Sequence, residues 1–285
     1  MITKAVKGML PQLITLWEEC FGDPEEYSRF FFENNLKGTD TFDNLYVYVE
    51  EGQPVSMLTV LEAELCDKGQ TINFWYIYGV ATAQEYRGKG YAGELLRYVL
   101  EAAIKSNAVA GLVPAQPSLF GYYEKFGFKT SFYKKVWEYS IEDQNRKETS
   151  KNDYQVTAIL PSEYNALRNE YLQEITHIVW SDLAVQYAVE ENTKLGGKTV
   201  RVKAKQGEFF AMYYAYEGVL YVRETNLPFL LLEEILVDIG NQQQCSKMIV
   251  SLNCRYQEIE HRTAHAMLYG MKEIPKNSYF GLALD

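Results

Sequence analysis

The spacing of apolar and polar residues changes several times along the first half of the chain, and each change marks a predicted element. Residues 47–65 and 71–82 are rich in aromatic and β-branched residues, which favours strands. From Tyr91 the period becomes helical, with apolar residues at Ala92, Leu95, Leu96, Val99 and Ala103. "VAGLVPA" then predicts a short buried strand, "SLFGYYEKFGF" a helix that ends at Gly127, and "FYKKVWEYS" a closing strand. This order indicates an α/β (α+β) fold.

The second half has a similar order of predicted elements. "EFFAMYYAYEG" and "VLYVRETN" predict a hairpin, and "FLLLEEILVDI" a helix between Pro228 and Gly240. "KMIVSL" then predicts a buried strand and "HRTAHAMLYGM" a helix. The spans from Arg87 to Gly127 and from Pro228 to Gly270 are nearly equal, which is compatible with a decayed internal repeat or with two unrelated α/β domains.

A polar stretch without aromatic residues, "SIEDQNRKETSKND", separates the two halves. We therefore predict a first domain at residues 1–141, a linker at 142–153 and a second domain at 154–285.

Composition narrows the class of protein. No apolar run is long enough for a transmembrane helix, and the N-terminal residues lack the pattern of a signal peptide. The four cysteines show no C-x-x-C spacing, so we expect a reducing, cytoplasmic location. The formal charge of -10 argues against nucleic acid as a partner and fits either a cationic substrate or ordinary solubility charge.

The stretch "YIYGVATAQEYRGKGYAGELLRYVL" contains G-x-G-x-x-G at residues 88–93. A dinucleotide fingerprint needs the first glycine directly at the strand end and an acidic residue about 20 positions later, and both features are missing here. Read from Arg87, the same loop is R-x-x-G-x-A, with Gly90 and Ala92. Glycines at a helix start, flanked by Arg87 and Lys89, predict a cradle for a pyrophosphate.

"GVATAQEYRGKGYAGELL" resembles the coenzyme A motif of the GNAT superfamily of N-acetyltransferases, [QR]-x-x-G-x-[GA], and "FGYYEKFGF" resembles its second motif, F-Y-E-K-x-G-F. The two motifs stand in the family's order and spacing. "LWEECFGDPEEYSRFFF" is similar to the tandem-domain GNAT group that includes the enhanced-intracellular-survival acetyltransferases, although this chain has no room for their third domain. The resemblance implies a GNAT fold, a mixed sheet flanked by helices, followed by a second, degenerate GNAT-like domain.

The resemblance also implies acetyl-CoA as co-substrate and assigns roles by motif position. Backbone groups of the fourth strand would bind the pantetheine arm and the acetyl carbonyl, with the Val80 N–H as the oxyanion donor. The loop and helix start would hold the pyrophosphate. The cofactor-binding residues implied in this way are Val80, Ala81, Thr82, Arg87, Gly88, Lys89, Gly90, Tyr91, Ala92 and Gly93.

The general acid that returns a proton to the leaving thiolate is implied at Tyr123, with Tyr122 as its neighbour. A phenol has an ordinary pKa of about 10, so it is protonated at neutral pH when the thiolate forms. The general base stays open, because residues 71–82 contain no Asp or Glu. Tyr76, Tyr78, an ordered water and the terminal carboxylate of Asp285 are the alternatives.

The second half lacks the glycine-rich loop, since "RETNLPFLL" stands in its place. Matching Gly270 to Gly127 puts Ala266 at the position of Tyr123, so we expect no cofactor binding there. His261 and His265 have the i, i+4 spacing of zinc-binding helices, with Cys254 and Glu258 on the same face, but no Glu lies between them in an H-E-x-x-H pattern. We therefore predict no metal.

The sequence thus predicts an N-acetyltransferase that moves an acetyl group from acetyl-CoA to a primary amine by direct attack. A non-catalytic acyl-CoA sensor is the alternative, and Tyr123 favours the enzyme. The expected partner is a small-molecule or peptide amine, with no nucleic acid and no membrane, and a homo-oligomer stays open. The acceptor could be a protein N-terminus, a lysine, a polyamine, an aminoglycoside or a small amino compound.

Overall fold

A computed structural model shows how these segments assemble. It describes residues 1–35, 38, 40–67, 69–141, 154–271 and 277–283. The predicted linker at 142–153 and the terminal Asp285 lie outside the described residues. No helix in the described ranges is long and apolar enough to cross a membrane.

The first half contains most of the predicted elements. Its strands are β1 (Ile2–Val6), β2 (Thr41–Glu50), β3 (Gln53–Asp67), β4 (Gln70–Thr82), β5 (Val109–Leu112) and β6 (Lys129–Ser140). Its helices are α1 (Leu10–Phe21), α2 (Glu25–Asn35), α3 (Tyr91–Lys105) and α4 (Phe120–Glu124). Helix α3 buries the apolar stripe seen in the sequence, and β5 is buried along its whole length.

The second half is equally rich in strands. Its strands are β7 (Tyr154–Ala158), β8 (Thr176–Val179), β9 (Lys198–Ala204), β10 (Gly207–Tyr216), β11 (Val219–Thr225), β12 (Lys247–Leu252), β13 (Thr263–Tyr269) and β14 (Ser278–Tyr279). Its helices are α5 (Pro161–Leu172), α6 (Asp182–Lys194) and α7 (Phe229–Gln242). The predicted hairpin is confirmed as β10 and β11, while α7 continues two residues beyond the predicted stop at Gly240.

The two halves exchange strands. In the first half the strand order is β1-β2-β3-β4-β5-β13-β6, and in the second it is β6-β12-β11-β10-β9-β7. Strand β13 therefore comes from the end of the chain and lies between β5 and β6, antiparallel to both. Strand β6 pairs with β13 through residues 129–134 and with β12 through residues 135–140, so one strand belongs to both sheets.

The predicted helix at "HRTAHAMLYGM" is wrong, because Thr263–Tyr269 form β13. Its apolar residues have a spacing that also suits a helix, but both neighbouring strands are far away in the sequence, and their hydrogen bonds decide the outcome. Ala266 therefore lies on a strand and Tyr123 on a helix, so the match between these two residues is also wrong.

A shared hydrophobic core fixes the two halves against each other. Phe74 and Tyr76 of β4 are fully buried in the same cluster as Trp180 and Phe280 from the other half of the chain. The ring centroids of Trp180 and Tyr76 lie 5.8 Å apart, and the indole N–H of Trp180 donates to the carbonyl of Gly281 at 2.8 Å. The last described residues are thereby held against the middle of the first sheet.

Candidate active site

The sheet of the first half opens between β4 and β5. The two strands are parallel, and their pairing ends at Tyr76 and Gly111, although β4 continues to Thr82. Residues 77–82 therefore have no β5 partner. Backbone groups along an unpaired strand edge are available to a ligand that lies in the opening.

A β-bulge shapes the open part of β4. Met57 of β3 pairs with Ala81 and Thr59 pairs with Tyr78, so Gly79 and Val80 together face one residue of β3. Gly79 has φ +61, and a Cβ there would lie 3.1 Å from the Trp17 ring. Only glycine combines this backbone with the close approach of Trp17. Gly79 was not singled out from the sequence, although a glycine within a strand is a recognised sign of a bulge.

A serine on β3 holds the end of the open strand. The hydroxyl of Ser56 donates to the carbonyl of Ala81 at 2.8 Å and lies 2.9 Å from the hydroxyl of Thr82. Ser56 is completely buried. No local sequence signal identifies this role, because it depends on the pairing between β3 and β4.

The glycine-rich loop follows β4 and leads into α3. Gly88 has φ +79, and Gly90, the residue before the helix, has φ +90. No side chain caps the start of α3, so the N–H groups of its first turn point out of the helix end without a capping partner. Free N–H groups and the helix dipole favour an anion such as a pyrophosphate at this position.

Both cationic side chains predicted at the loop have protein partners. Arg87 donates from Nε to the carbonyl of Thr82 at 3.0 Å, which fixes the loop to the end of β4. The ammonium of Lys89 lies 4.4 Å from the centre of the Tyr86 ring. Gly93 is buried in α3, where a Cβ would lie 3.0 Å from the Phe126 ring.

A groove of about 1130 Å³ runs along the opening and the loop. It brings together eight of the ten residues predicted to bind the cofactor, together with the predicted acid. These residues are Val80, Ala81, Thr82, Arg87, Gly88, Gly90, Tyr91, Ala92 and Tyr123. Lys89 and Gly93 are the two that do not line it.

Tyr123 lies on α4, and its ring is 7% exposed. Burial, followed by the neighbouring Tyr122, raises the pKa of the Tyr123 phenol well above its usual value. The ring is held by Tyr122, at 5.2 Å, and by Phe128, at 5.9 Å between centroids. Tyr123 is therefore a rigid, protonated phenol on the wall of the groove, which suits a general acid.

A second, smaller cavity of about 320 Å³ adjoins the groove. Tyr27, Lys134 and His265 line both spaces, so they mark the junction. Glu191 lies in the smaller cavity, where it accepts hydrogen bonds from Tyr27 at 2.7 Å and from Arg223 at 2.8 Å. The smaller cavity is walled by residues of both halves, including residues 279–283.

The alternatives for the general base fall in different places. Tyr76 and Tyr78 both line the groove, and their rings lie 5.7 Å apart. The terminal carboxylate lies outside the described residues, and an ordered water stays a hypothesis. The sequence-based argument also missed His265, which it treated only as a metal ligand on a helix.

The premise of the weighed metal site is wrong, because His265 lies on β13 and no helix joins it to His261 and Cys254. In the part of the chain that the structure describes, no group of three or more His, Cys, Asp or Glu side chains could hold a metal ion.

Residues 2–131 match the family model of the acetyltransferase (GNAT) domain. No curated protein matches the chain.

Several solved structures share the fold over nearly the whole chain. A GCN5-related N-acetyltransferase from Kribbella flavida is 16% identical, with 94% of this chain and 70% of that chain covered and a TM-score of 0.70. A probable N-acyltransferase from Enterococcus faecalis is 14% identical, with 94% and 71% covered and a TM-score of 0.71. Eis1 from Mycobacterium abscessus is 8% identical, with 94% and 73% covered and a TM-score of 0.65. These likenesses extend into the second, β-rich half, so both halves of the chain follow the architecture of tandem GNAT-like structures.

Proposed function

We propose that this chain, whose residues 2–131 are a GNAT acetyltransferase domain, transfers an acetyl group from acetyl-CoA to a primary amine. Membership of the family implies an acyl-CoA donor. The observation that carries the proposal is that one groove contains both the open edge of β4 and a buried phenol at Tyr123. A protein that only bound acyl-CoA would need the first of these features and not the second.

In this proposal the cofactor lies along the groove. The N–H groups at the start of α3 and in the loop bind the pyrophosphate, while the free edge at residues 80–82 binds the pantetheine arm. The Val80 N–H faces the acetyl oxygen and stabilises the negative charge that develops on it when the amine attacks. Acetyl-CoA supplies the activated acyl group, and the protein supplies position, hydrogen bonds and protons.

Tyr123 completes the reaction. When the bond between carbon and sulfur breaks, the departing thiolate needs a proton, and the Tyr123 phenol donates it. A thiol has an ordinary pKa of about 8.5, below that of a phenol, so the proton transfer is uphill on its own and must be coupled to the breaking of the bond between carbon and sulfur. General acid catalysis of this kind contributes about 10²–10⁴-fold to a rate.

The amine enters from the smaller cavity. This space joins the groove at Tyr27, Lys134 and His265 and contains no residue of the loop, so in this proposal an amine there approaches the acetyl carbon without displacing the cofactor. Because the wall of this cavity comes from both halves, we assign the second half a role in choosing the acceptor.

The test has two parts, both on the full chain. Calorimetric titration with acetyl-CoA measures cofactor binding, and release of free thiol from acetyl-CoA measures transfer to phenethylamine, spermidine, lysine, an aminoglycoside and a peptide with a free N-terminus. We expect binding together with amine-dependent thiol release. Tight binding without transfer to any of these amines would instead favour the sensor function.

A further inference from the structure

The structure assigns the proton-accepting step to a residue that lies outside the family motifs. We propose that His265, at the junction of the two cavities, is the general base that takes the proton from the attacking amine. This inference rests on the proposed function, since it needs an amine that is acetylated at this site.

The position of His265 follows from the exchange of strands. Met267 of β13 pairs with Leu112, the last residue of β5. Counting along the two antiparallel strands places His265 level with Pro114, just beyond the end of β5. The parallel pairing of Tyr76 with Gly111 places Gly79 at the same level. His265 therefore lies beyond the last pair of β13 with β5, and it lines the same groove as Gly79.

A second bulge lies at His265 itself. Ala264 pairs with Tyr133 of β6 and Ala266 pairs with Phe132, so two residues of β13 span one step of β6. A bulge changes the direction of a side chain and interrupts the regular alternation of a strand. His265 is 7% exposed and lines both cavities, and its ring is nearly perpendicular to that of Phe280, with 6.2 Å between the ring centroids. His265 is thus held where the groove and the smaller cavity meet.

The chemistry of the junction suits a base. Imidazole has an ordinary pKa of about 6.5, so in general it accepts a proton near neutral pH, whereas an ordinary phenol is already protonated there. Lys134 of β6 lines both cavities beside His265. Glu191, the acidic group among the described residues that line the smaller cavity, already accepts hydrogen bonds from Arg223 and Tyr27.

The proposed step balances as follows. The amine nitrogen forms a bond to the acetyl carbon, and His265 takes one proton from that nitrogen. The bond between carbon and sulfur breaks, and the thiolate takes the proton of Tyr123. The products are an acetamide and coenzyme A with a free thiol, and proton exchange through water returns the proton on His265 to Tyr123.

The experiment compares His265→Ala and His265→Gln with the wild type, with His261→Gln as the matched control. His261 is exposed in the segment before β13. The acceptor is the panel amine with the highest turnover, or phenethylamine if several are equal. For both His265 variants we expect kcat to fall by about 10²–10⁴-fold, the contribution typical of a general base. We expect an unchanged acetyl-CoA affinity and, in His265→Ala, partial recovery of kcat when imidazole is added. The control should behave as the wild type.

Each result decides the question. A His265→Gln variant with wild-type turnover overturns the proposal and leaves the proposed function standing. Loss of the fold in both variants, or a loss of turnover in folded His265→Ala that imidazole does not restore, assigns His265 a structural role and also overturns it. A wild type that binds acetyl-CoA but acetylates no amine removes the proposed function and the base together.

Discussion

Strand pairing ends at Tyr76 between β4 and β5 and at Val222 between β11 and β12, so each half opens its sheet at the same point of the topology. In the first half a groove runs along the opening. In the second half buried protein side chains bind the end of β11 beyond this pairing, and residues 222, 251 and 252 also line the smaller cavity. Glu224, 1% exposed, is bound to Arg168, and the hydroxyl of Tyr256 donates to the carbonyl of Leu227 at 2.7 Å. The end of the open strand therefore lines the groove in the first half and is bound by protein side chains in the second.

The connection after the open strand differs as well. In the first half residues 83–90 form a loop with two glycines at positive φ before α3 begins. In the second half only residues 226–228 separate β11 from α7, and Pro228 precedes the helix. A short connection that ends in proline offers fewer N–H groups to a phosphate. We infer that only the first half binds acetyl-CoA.

The largest effect is expected at the acid of the first half. Tyr123→Phe removes one hydroxyl and keeps the ring that packs on Phe128, so kcat should fall by about 10²–10⁴-fold while acetyl-CoA affinity stays the same. Steady-state kinetics and calorimetry measure the two quantities. Tyr122→Phe, the neighbouring control, should have a much smaller effect. Equal turnover in Tyr123→Phe and the wild type would mean that another group or water protonates the thiolate.

The next largest effect is expected on the unfolding free energy, at a buried ion pair near the end of β11 in the second half. The Nε of Arg168 lies 3.1 Å from both carboxylate oxygens of Glu224, and Arg168 is completely buried. Arg168→Met leaves a buried carboxylate without its cation, which typically costs about 3–5 kcal/mol of unfolding free energy. Urea denaturation measures this loss.

Two controls separate the buried pair from an ordinary charge. Lys203→Met breaks the surface pair with Glu208, which lies at 2.8 Å, and should cost about 0–1 kcal/mol. Adding Glu224→Gln to Arg168→Met removes the orphaned charge and should recover part of the loss. A cost for Arg168→Met that is no larger than that for Lys203→Met would show that this pair does not stabilise the fold more than a surface pair does.

A moderate effect is expected at the loop. Gly90 has φ +90, and a β-branched side chain there costs about 1–2 kcal/mol in backbone strain. It would also stand beside the N–H groups proposed to bind the pyrophosphate. Because of this position, and not because of the strain, Gly90→Val should weaken acetyl-CoA binding by about tenfold or more, which is about 1.4 kcal/mol of binding free energy.

Gly218→Val is the matched control for Gly90→Val. Gly218 has φ +75 in the turn between β10 and β11, and, as at Gly90, a Cβ there would meet no atom within 4 Å. The two variants introduce the same strain, but only one of them lies in the groove. If both weakened acetyl-CoA binding equally in titrations, the loss would come from general destabilisation and not from the loop.

The sequence could predict those parts of the site that depend on neighbours along the chain. The loop at residues 87–92, the helix that starts at Tyr91 and the phenol at Tyr123 all lie within two short motifs, and the structure brings them to one groove. Local patterns could not predict β13, because its neighbours, β5 and β6, are more than 100 residues away. His265 was misinterpreted for the same reason.

The contacts at the end of β11 in the second half could not be predicted from local patterns either. Arg168 and Glu224 are 56 positions apart, and the sequence shows no relation between them. The segment between β12 and β13, which has the same place in the order of elements as the segment with α4 in the first half, contains Tyr256, and the match to Ala266 did not consider it. A tyrosine is thus present in both halves, but its surroundings decide what its hydroxyl does.

The smallest effect, and the one that most directly tests the comparison, is expected at Tyr256. Its hydroxyl donates to the carbonyl oxygen of Leu227 at 2.7 Å and lies 3.3 Å from the carbonyl oxygen of Thr225. It therefore binds the backbone at the end of β11. Tyr256→Phe removes this hydrogen bond and leaves the ring in place, which should lower the unfolding free energy by about 1 kcal/mol. Because no cofactor lies near it in our proposal, kcat and acetyl-CoA affinity should stay at wild-type values, in contrast to Tyr123→Phe. A fall in kcat without a change in unfolding free energy would mean that the second half contains a second acid and a second reactive site.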